Sequence, residues 1–312
     1  MILSVRDLRV YFSSPRGQVK ALDGVDLDVD RREIVGLAGE SGCGKSTLAL
    51  AISRLIFPPG KITGGKVSFD GRDVLSLSEE EFRREYRWKK IAMVFQGSMN
   101  GFTPVFTIGY QINEVLQIHG FEGDLQARVS ELLRMVDLDP EIAIRYPHEL
   151  SGGQKQRAFI AMALALDPPF LIADEPTTAL DVVTQVSIMN LLKRLRKENG
   201  IAILLITHDL ALLSEVVDRM YILYAGRMAE TGTAEEIFRE PMHPYTKGLI
   251  ASIPTLQSTK IAGIEGFMPD LANLPPGCKF YPRCPYVMDV CKINEPELRN
   301  VKGDQRVACW LY

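Results

Sequence analysis

Runs of four to six consecutive apolar residues punctuate the first 240 positions of this chain, and between them apolar residues recur at helical spacing. Ile34–Ala38, Ile91–Phe95, Phe170–Ala173 and Ala202–Thr207 have the length and continuity of buried strands. The start, Met1–Asp7, alternates apolar and polar positions as a strand does. Ile108–His119, Leu125–Val136 and Gln154–Leu166 read as helices, and another opens at Lys45. A long helix is expected over Asp181–Glu198, with apolar residues at Val182, Val186, Met189, Leu192 and Leu195. This alternation predicts an α/β domain over residues 1–240, with a mostly helical insertion at about 97–166.

Beyond Arg239 the pattern breaks. Residues 241–312 hold nine of the 18 prolines, which excludes a second regular α/β domain and predicts an irregular, locally braced extension. Apolar residues make up 46% of the chain, enough for a sizeable core, while a net charge of −3 and the lack of a Lys/Arg run argue against nucleic-acid binding. The longest apolar stretches, Phe159–Leu166 and Ile201–Ile206, fall far short of the roughly 20 residues needed to span a bilayer. The first residues lack an apolar signal core, so export is not expected, and any work at a membrane is done from its aqueous side.

Gly39-Glu40-Ser41-Gly42-Cys43-Gly44-Lys45-Ser46-Thr47 follows a strand and opens a helix, and it fits the phosphate-loop pattern G-x-x-x-x-G-K-[ST]. Such a loop turns backbone N–H groups inward onto phosphate oxygens and places a helix N-terminus at the same anion. Lys45 would neutralise the β- and γ-phosphates, and the Ser46 hydroxyl would ligate Mg²⁺. Cys43 belongs to the loop through its backbone, with no chemistry assigned to its thiol. Phe170–Glu175 is an apolar strand ending in two carboxylates: Asp174 for the Mg²⁺ sphere and Glu175 to polarise an attacking water, a general-base role worth roughly 10²–10⁴ in rate. Leu150-Ser151-Gly152-Gly153-Gln154 opens a further helix and offers a second anion-binding end, although a simple helix cap would look the same. Two separate phosphate-binding ends are explained by a dimer in which each chain closes the other's nucleotide.

With these motifs in this order, residues 1–240 resemble the nucleotide-binding subunits of ATP-binding-cassette transporters. The resemblance implies a P-loop ATPase cassette with a mainly parallel core sheet, an N-terminal antiparallel β part and a helical insertion. It makes Gly39–Thr47 the Walker A loop, Phe170–Glu175 the Walker B strand and Leu150–Gln154 the signature, with Ser151, Gly152, Gly153 and Gln154 acting on the partner chain's ATP. Gln96 becomes the Q-loop glutamine at Mg²⁺, Ala179-Leu180-Asp181 the D-loop, and His208 the switch histidine at the γ-phosphate. Phe12 takes the aromatic position that stacks on adenine, with neighbouring Tyr11 the competing choice.

Asp174–Val182, Tyr146–Leu150 and Pro244–Leu249 further resemble the dipeptide and oligopeptide permease ATPases, closest to the dipeptide "D" subunit. Gly97–Phe102 departs from the acidic residue and Leu-Asn-Pro run common in relatives, which bears on the identity of the membrane partner. Four of the five cysteines, Cys278, Cys284, Cys291 and Cys309, fall in the last 35 residues, separated by five, six and seventeen residues. No C-x₂-C pair occurs among them, so spacing alone allows either zinc or an iron–sulfur cluster. A chain without an export signal favours metal over disulfides. Gly277–Pro285 resembles the C-terminal region of peptide-permease ATPases, and that resemblance implies a 4Fe–4S cluster, with zinc the alternative and a structural role.

The resemblance therefore predicts an ATP-hydrolysing importer subunit for dipeptides or oligopeptides, peripheral on the cytoplasmic face of the membrane. Its expected partners are a second ATPase subunit (a heterodimer, or a homodimer), two integral permease subunits and, indirectly, an extracellular solute-binding protein; nucleic acid is not among them. The alternatives are a nickel or other small-solute importer and a soluble cassette ATPase of iron–sulfur assembly. DNA-repair and ribosome-associated cassettes would need a long coiled-coil insertion or a second cassette, and the chain has neither.

Overall fold

The computed structural model describes residues 1–15, 17–253 and 263–312, leaving aside the side chain of Met99. Its strands, in chain order, are β1 (Leu3–Ser14), β2 (Gly17–Val29), β3 (Ile34–Ala38), β4 (Gly60–Phe69), β5 (Arg72–Asp73), β6 (Ile91–Val94), β7 (Phe170–Asp174), β8 (Ala202–Ile206), β9 (Arg219–Tyr224), β10 (Arg227–Thr233), β11 (Arg299–Lys302) and β12 (Gln305–Val307). The chain divides into two compact units, one of residues 1–30, 34–75 and 206–312, the other of 31–33 and 76–205.

The first unit contains the antiparallel sheet β2-β1-β4-β5 and the run β11-β12-β10-β9-β3. β1 buries Leu3 and Val5, then Leu8 and Val10, so its inward positions change from odd to even numbers. Irregularities between Val5 and Leu8 in its pairing with β2, and between Arg6 and Arg9 in its pairing with β4, absorb that change. A bulge thus keeps Leu3, Val5, Leu8 and Val10 on the core side. β3 is buried throughout and runs parallel to β9, as its unbroken apolar sequence predicts.

The proline-rich extension is more tightly integrated than its composition suggests. β12 pairs antiparallel with β10, adding the extension to a sheet of the first unit. At its start, the carboxylate of Glu230, with no exposed surface, accepts from the backbone N–H groups of Met242 (2.8 Å) and His243 (2.9 Å) and from Gln305 Nε2 (2.7 Å). A buried carboxylate needs such donors, so these bonds lock the extension at both ends.

The second unit holds β6, β7 and β8, with β7 between the other two and β6 parallel to it. Helices Ile108–Ile118, Leu125–Met135 and Gly152–Ala163, joined by short 3₁₀ turns, fill the stretch between β6 and β7. The last begins two residues earlier than its apolar pattern implied, because Ser151 and Gln154 form a reciprocal cap ahead of that pattern. In the long helix Val182–Asn199 only the later part of the stripe is buried: Met189, Leu192 and Leu195 are inside, whereas Val182 is 72% and Val186 46% exposed.

Arg157 stitches this unit together, donating to Val136 O (2.6 Å), Asp137 (2.8 Å) and Ser187 Oγ (2.6 Å). Among the described residues no helix is long and apolar enough to cross a membrane. Arg157→Met should keep the packing of the stem and lose these bonds, lowering unfolding stability by about 1–3 kcal/mol in a denaturant titration.

Candidate active site

Two glycines of the phosphate loop are required sterically. A Cβ at Gly39 (φ 154°) would lie 2.2 Å from Leu223 O, and one at Gly44 (φ 114°) 2.4 Å from Ala21 O. The loop passes too close to neighbouring backbone for any side chain there. Ser41 and Gly42 are exposed at its tip, and Ser46 and Thr47 are half-buried in the first turn of the helix Lys45–Ile52.

Lys45 is 7% exposed and folds back, its Nζ donating to the carbonyls of Gly39 (2.7 Å) and Glu40 (2.9 Å). The Cys43 side chain is wholly buried and burial pushes its thiol pKa up, consistent with packing rather than reactivity. On β1, the Tyr11 hydroxyl donates to Asp23, and its pKa is pushed up to about 12, chiefly by burial. Phe12 makes no such polar commitment; its ring lies where a Cβ on Gly60 would come within 2.5 Å. His208 is exposed just ahead of the short helix Leu210–Ser214, which Asp209 caps.

In the second unit, Asp174 ends the fully buried β7 at 3% exposure. Glu175 follows with φ 47°, a left-handed conformation that is uncommon for a non-glycine residue. Its Oε2 accepts from Gln96 Nε2 (2.7 Å) and from Thr178 Oγ1 (2.8 Å). Gln96 and Glu175, 79 residues apart, are thus brought together, whereas Thr178 was not singled out for this contact by the sequence reading.

The signature serine is bound locally: Ser151 Oγ accepts from Gln154 N–H (3.3 Å), and Gln154 Oε1 accepts from Ser151 N–H (2.9 Å). The segment is thus a capped helix start, and its Ser151 and Gly152 remain exposed. Gly153 packs against Thr184, and Asp181 caps the following helix through Thr184 N–H (3.0 Å) and Oγ1 (2.6 Å).

Cys278, Cys284, Cys291 and Cys309 line one small cavity, walled by apolar side chains including Phe280, Met288 and Leu311. Burial raises the thiol pKa of Cys278, to about 11, and those of Cys284 and Cys309. Among the described residues, however, no group of three or more His, Cys, Asp or Glu side chains has the geometry to hold a metal ion. The structure thus gathers the thiols without forming the expected metal-binding geometry, and the 4Fe–4S and zinc expectations gain a shared cavity but no ligand sphere.

Residues 22–178 match the family described as ABC transporter. The dipeptide transport ATP-binding protein DppD of Caldanaerobacter subterraneus subsp. tengcongensis is 42% identical over 318 aligned residues, covering 100% of this chain and 97% of the relative. The chain belongs to the ABC transporter ATP-binding family. This ABC ATPase also matches, over residues 229–291, the family described as oligopeptide/dipeptide transporter, C-terminal region. The oligopeptide transport ATP-binding protein AppD of Bacillus subtilis is 43% identical, with 100% of this chain and 97% of the relative covered. A solved dimeric ATP-binding cassette in a post-hydrolysis state with ADP and Pi superposes with a TM-score of 0.67 at 32% identity, over 75% of this chain and 99% of that one.

The steric limits on the loop of this ABC ATPase are directly testable. Gly39→Ala should weaken ATP binding by about tenfold or more, since even one methyl must displace backbone there. An ATP titration beside the wild type checks this, and equal affinity would contradict it.

Proposed function

We infer that this chain is the ATP-hydrolysing subunit of a dipeptide or oligopeptide importer, working as one of a pair of cassettes that close on ATP and drive membrane permease subunits. The observation that carries the peptide assignment is the joint presence of the cassette and the peptide-transporter C-terminal region in one chain. Relatives named for dipeptide and oligopeptide transport, similar along their whole length, support it over a nickel importer or an iron–sulfur assembly ATPase.

In this reading Gly39–Thr47 holds the phosphates and Lys45 leaves its loop carbonyls to meet them. Ser46, Asp174 and Gln96 offer the hard oxygen donors that suit Mg²⁺, which would neutralise phosphate charge there. Glu175 orients and deprotonates the attacking water, with Gln96 and Thr178 holding its carboxylate beforehand. His208 reads the γ-phosphate. Phe12 stacks on adenine, while the hydroxyl of neighbouring Tyr11 is engaged by Asp23.

Ser151, Gly152, Gly153 and Gln154 cap the partner's ATP, and Ala179–Asp181 with exposed Val182, Val183 and Val186 meets the partner cassette. That partner is a second, related ATPase subunit. Phe106 and Tyr110 stack with ring centroids 4.6 Å apart and, with Val105, form an exposed apolar face suited to a permease subunit. In this reading the chain works at the cytoplasmic face of the membrane, with a solute-binding protein on the other side supplying the peptide.

Residues 1–240 constitute the cassette and 241–312 a peptide-permease extension. Its four thiols share one apolar cavity lined by no carboxylate, and a 4Fe–4S cluster held by them would tie four separate positions of the extension together.

Glu175→Gln should retain ATP binding and lose turnover by about a hundredfold or more, whereas Lys45→Ala should weaken binding itself. Steady-state hydrolysis and equilibrium ATP binding separate the two, and undiminished hydrolysis by Glu175→Gln would overturn its role. Protein purified without oxygen should contain iron and acid-labile sulfide in near-equal amounts, and lose both, with the fold of the extension, when all four tail cysteines become serine. Zinc in their place would favour the alternative metal, and an extension that stays folded without its thiols would end the structural assignment.

A further inference from the structure

Glu40 lies inside the phosphate loop, yet its carboxylate is held by the extension. Arg283 Nη1 donates to Glu40 Oε2 (2.7 Å) and Nη2 to Oε1 (2.9 Å), a two-pronged pair spanning 243 positions of sequence. The arginine side chain is only 5% exposed and the glutamate 25%. The backbone N–H of Glu40 donates to the hydroxyl of fully buried Tyr245 (2.7 Å). Glu40 therefore has three side-chain anchors, its N–H on Tyr245, its carbonyl on Lys45 and its carboxylate on Arg283, and within the loop its carbonyl also accepts from Cys43 N–H (3.3 Å).

Arg283 is itself fixed. Its Nε donates to Glu265 O (2.9 Å) and Nη2 to Ile264 O (3.3 Å), and its guanidinium lies 5.9 Å from the ring centroids of both Tyr224 and Phe280. Tyr224, Tyr245 and Phe280 form one aromatic cluster with centroids 4.5 to 5.5 Å apart. The same extension reaches the loop again, with Met268 Cε 3.4 Å from where a Cβ on Gly42 would sit.

We propose that Arg283 is a positioning residue for ATP binding, clamping Glu40 so that the phosphate loop stays open when Lys45 turns to the nucleotide. The proposal rests on the reading that Gly39–Thr47 holds the phosphates. Lys45 braces the loop through the carbonyls of Gly39 and Glu40. ATP withdraws that brace, since the same ammonium must now meet phosphate. The side-chain anchors that remain on Glu40 are Tyr245 and Arg283, and both come from the extension, while its carbonyl keeps the longer bond from Cys43 N–H (3.3 Å). Holding the loop beforehand reduces the ordering cost of binding, and so acts on affinity. Glu40 has no part in the chemical step, so turnover at saturation is left alone. The four-cysteine extension thereby gains a role beyond holding its own shape: the residue next to Cys284 sets how well the cassette takes ATP.

The test uses the full chain with Arg283→Gln, Arg283→Lys, Glu40→Gln and the Arg283→Gln/Glu40→Gln double variant, reading ATP Kd, KM, kcat and thermal midpoint. Arg283→Gln should raise Kd and KM about tenfold, the scale of one lost charge-assisted contact, with kcat within about twofold. Arg283→Lys should recover part of the loss, because an ammonium keeps the charge but not the fork. The double variant should be no weaker than the weaker single variant, since the pair acts as one unit. A lowered thermal midpoint with unchanged Kd would mean a merely structural contact and overturn the proposal, as would a loss confined to kcat. If Arg283→Gln fails to fold, Glu40→Gln decides, because it leaves the extension intact; unchanged Kd there also overturns it. Lys45→Ala run alongside separates the two ideas: normal ATP binding in that variant faults the reading of the loop, whereas lost binding there with normal Arg283→Gln faults the clamp alone.

Discussion

The first unit is organised around a steric constraint: the phosphate loop passes so close to the backbone of Leu223 and Ala21 that positions 39 and 44 have no room for a side chain. That proximity makes the loop a rigid cradle rather than a surface turn. It orients the first turn of the helix at Lys45 and buries the side chain of Cys43 beneath the loop. With its backbone so confined, the loop can be adjusted mainly through its side chains, Lys45 from within and Glu40 from the extension.

Several of the groups expected to carry chemistry are held in local hydrogen-bond sets. Lys45 donates to its own loop carbonyls, Glu175 is held by Gln96 and Thr178, and Ser151 with Gln154 completes a helix cap. These arrangements give the polar side chains partners within the chain. Each can be exchanged for a contact with nucleotide at modest cost, because one hydrogen bond replaces another. An ATPase that must bind and release in every cycle benefits from such exchangeable states.

The extension departs furthest from what its composition suggests. Proline content predicted an irregular appendage, and much of it is irregular, yet β12 joins β10 and buried Glu230 fastens the entry to the extension. The aromatic cluster of Tyr224, Tyr245 and Phe280 then joins it to β9 beside the loop. Four thiols converge on one cavity from positions scattered over the last 35 residues.

The sequence by itself determined the elements whose signal is local: the apolar runs that become β3, β6, β7 and β8, the helices between β6 and β7, and the phosphate loop with its glycines. Local patterns are legible because backbone sterics and side-chain periodicity act over a few residues. The family also follows from short motifs read in order. Only the tertiary structure decided the bulge that rephases β1, the solvent exposure of Val182 and Val186, the partners of Glu175, and the pairing of Glu40 with Arg283. It also decided that Tyr11 is engaged with Asp23 while Phe12 is not. Each of these joins residues far apart in the chain or weighs one face against another. No periodicity encodes a contact across 243 positions; folding brings that pair together by burying everything around it.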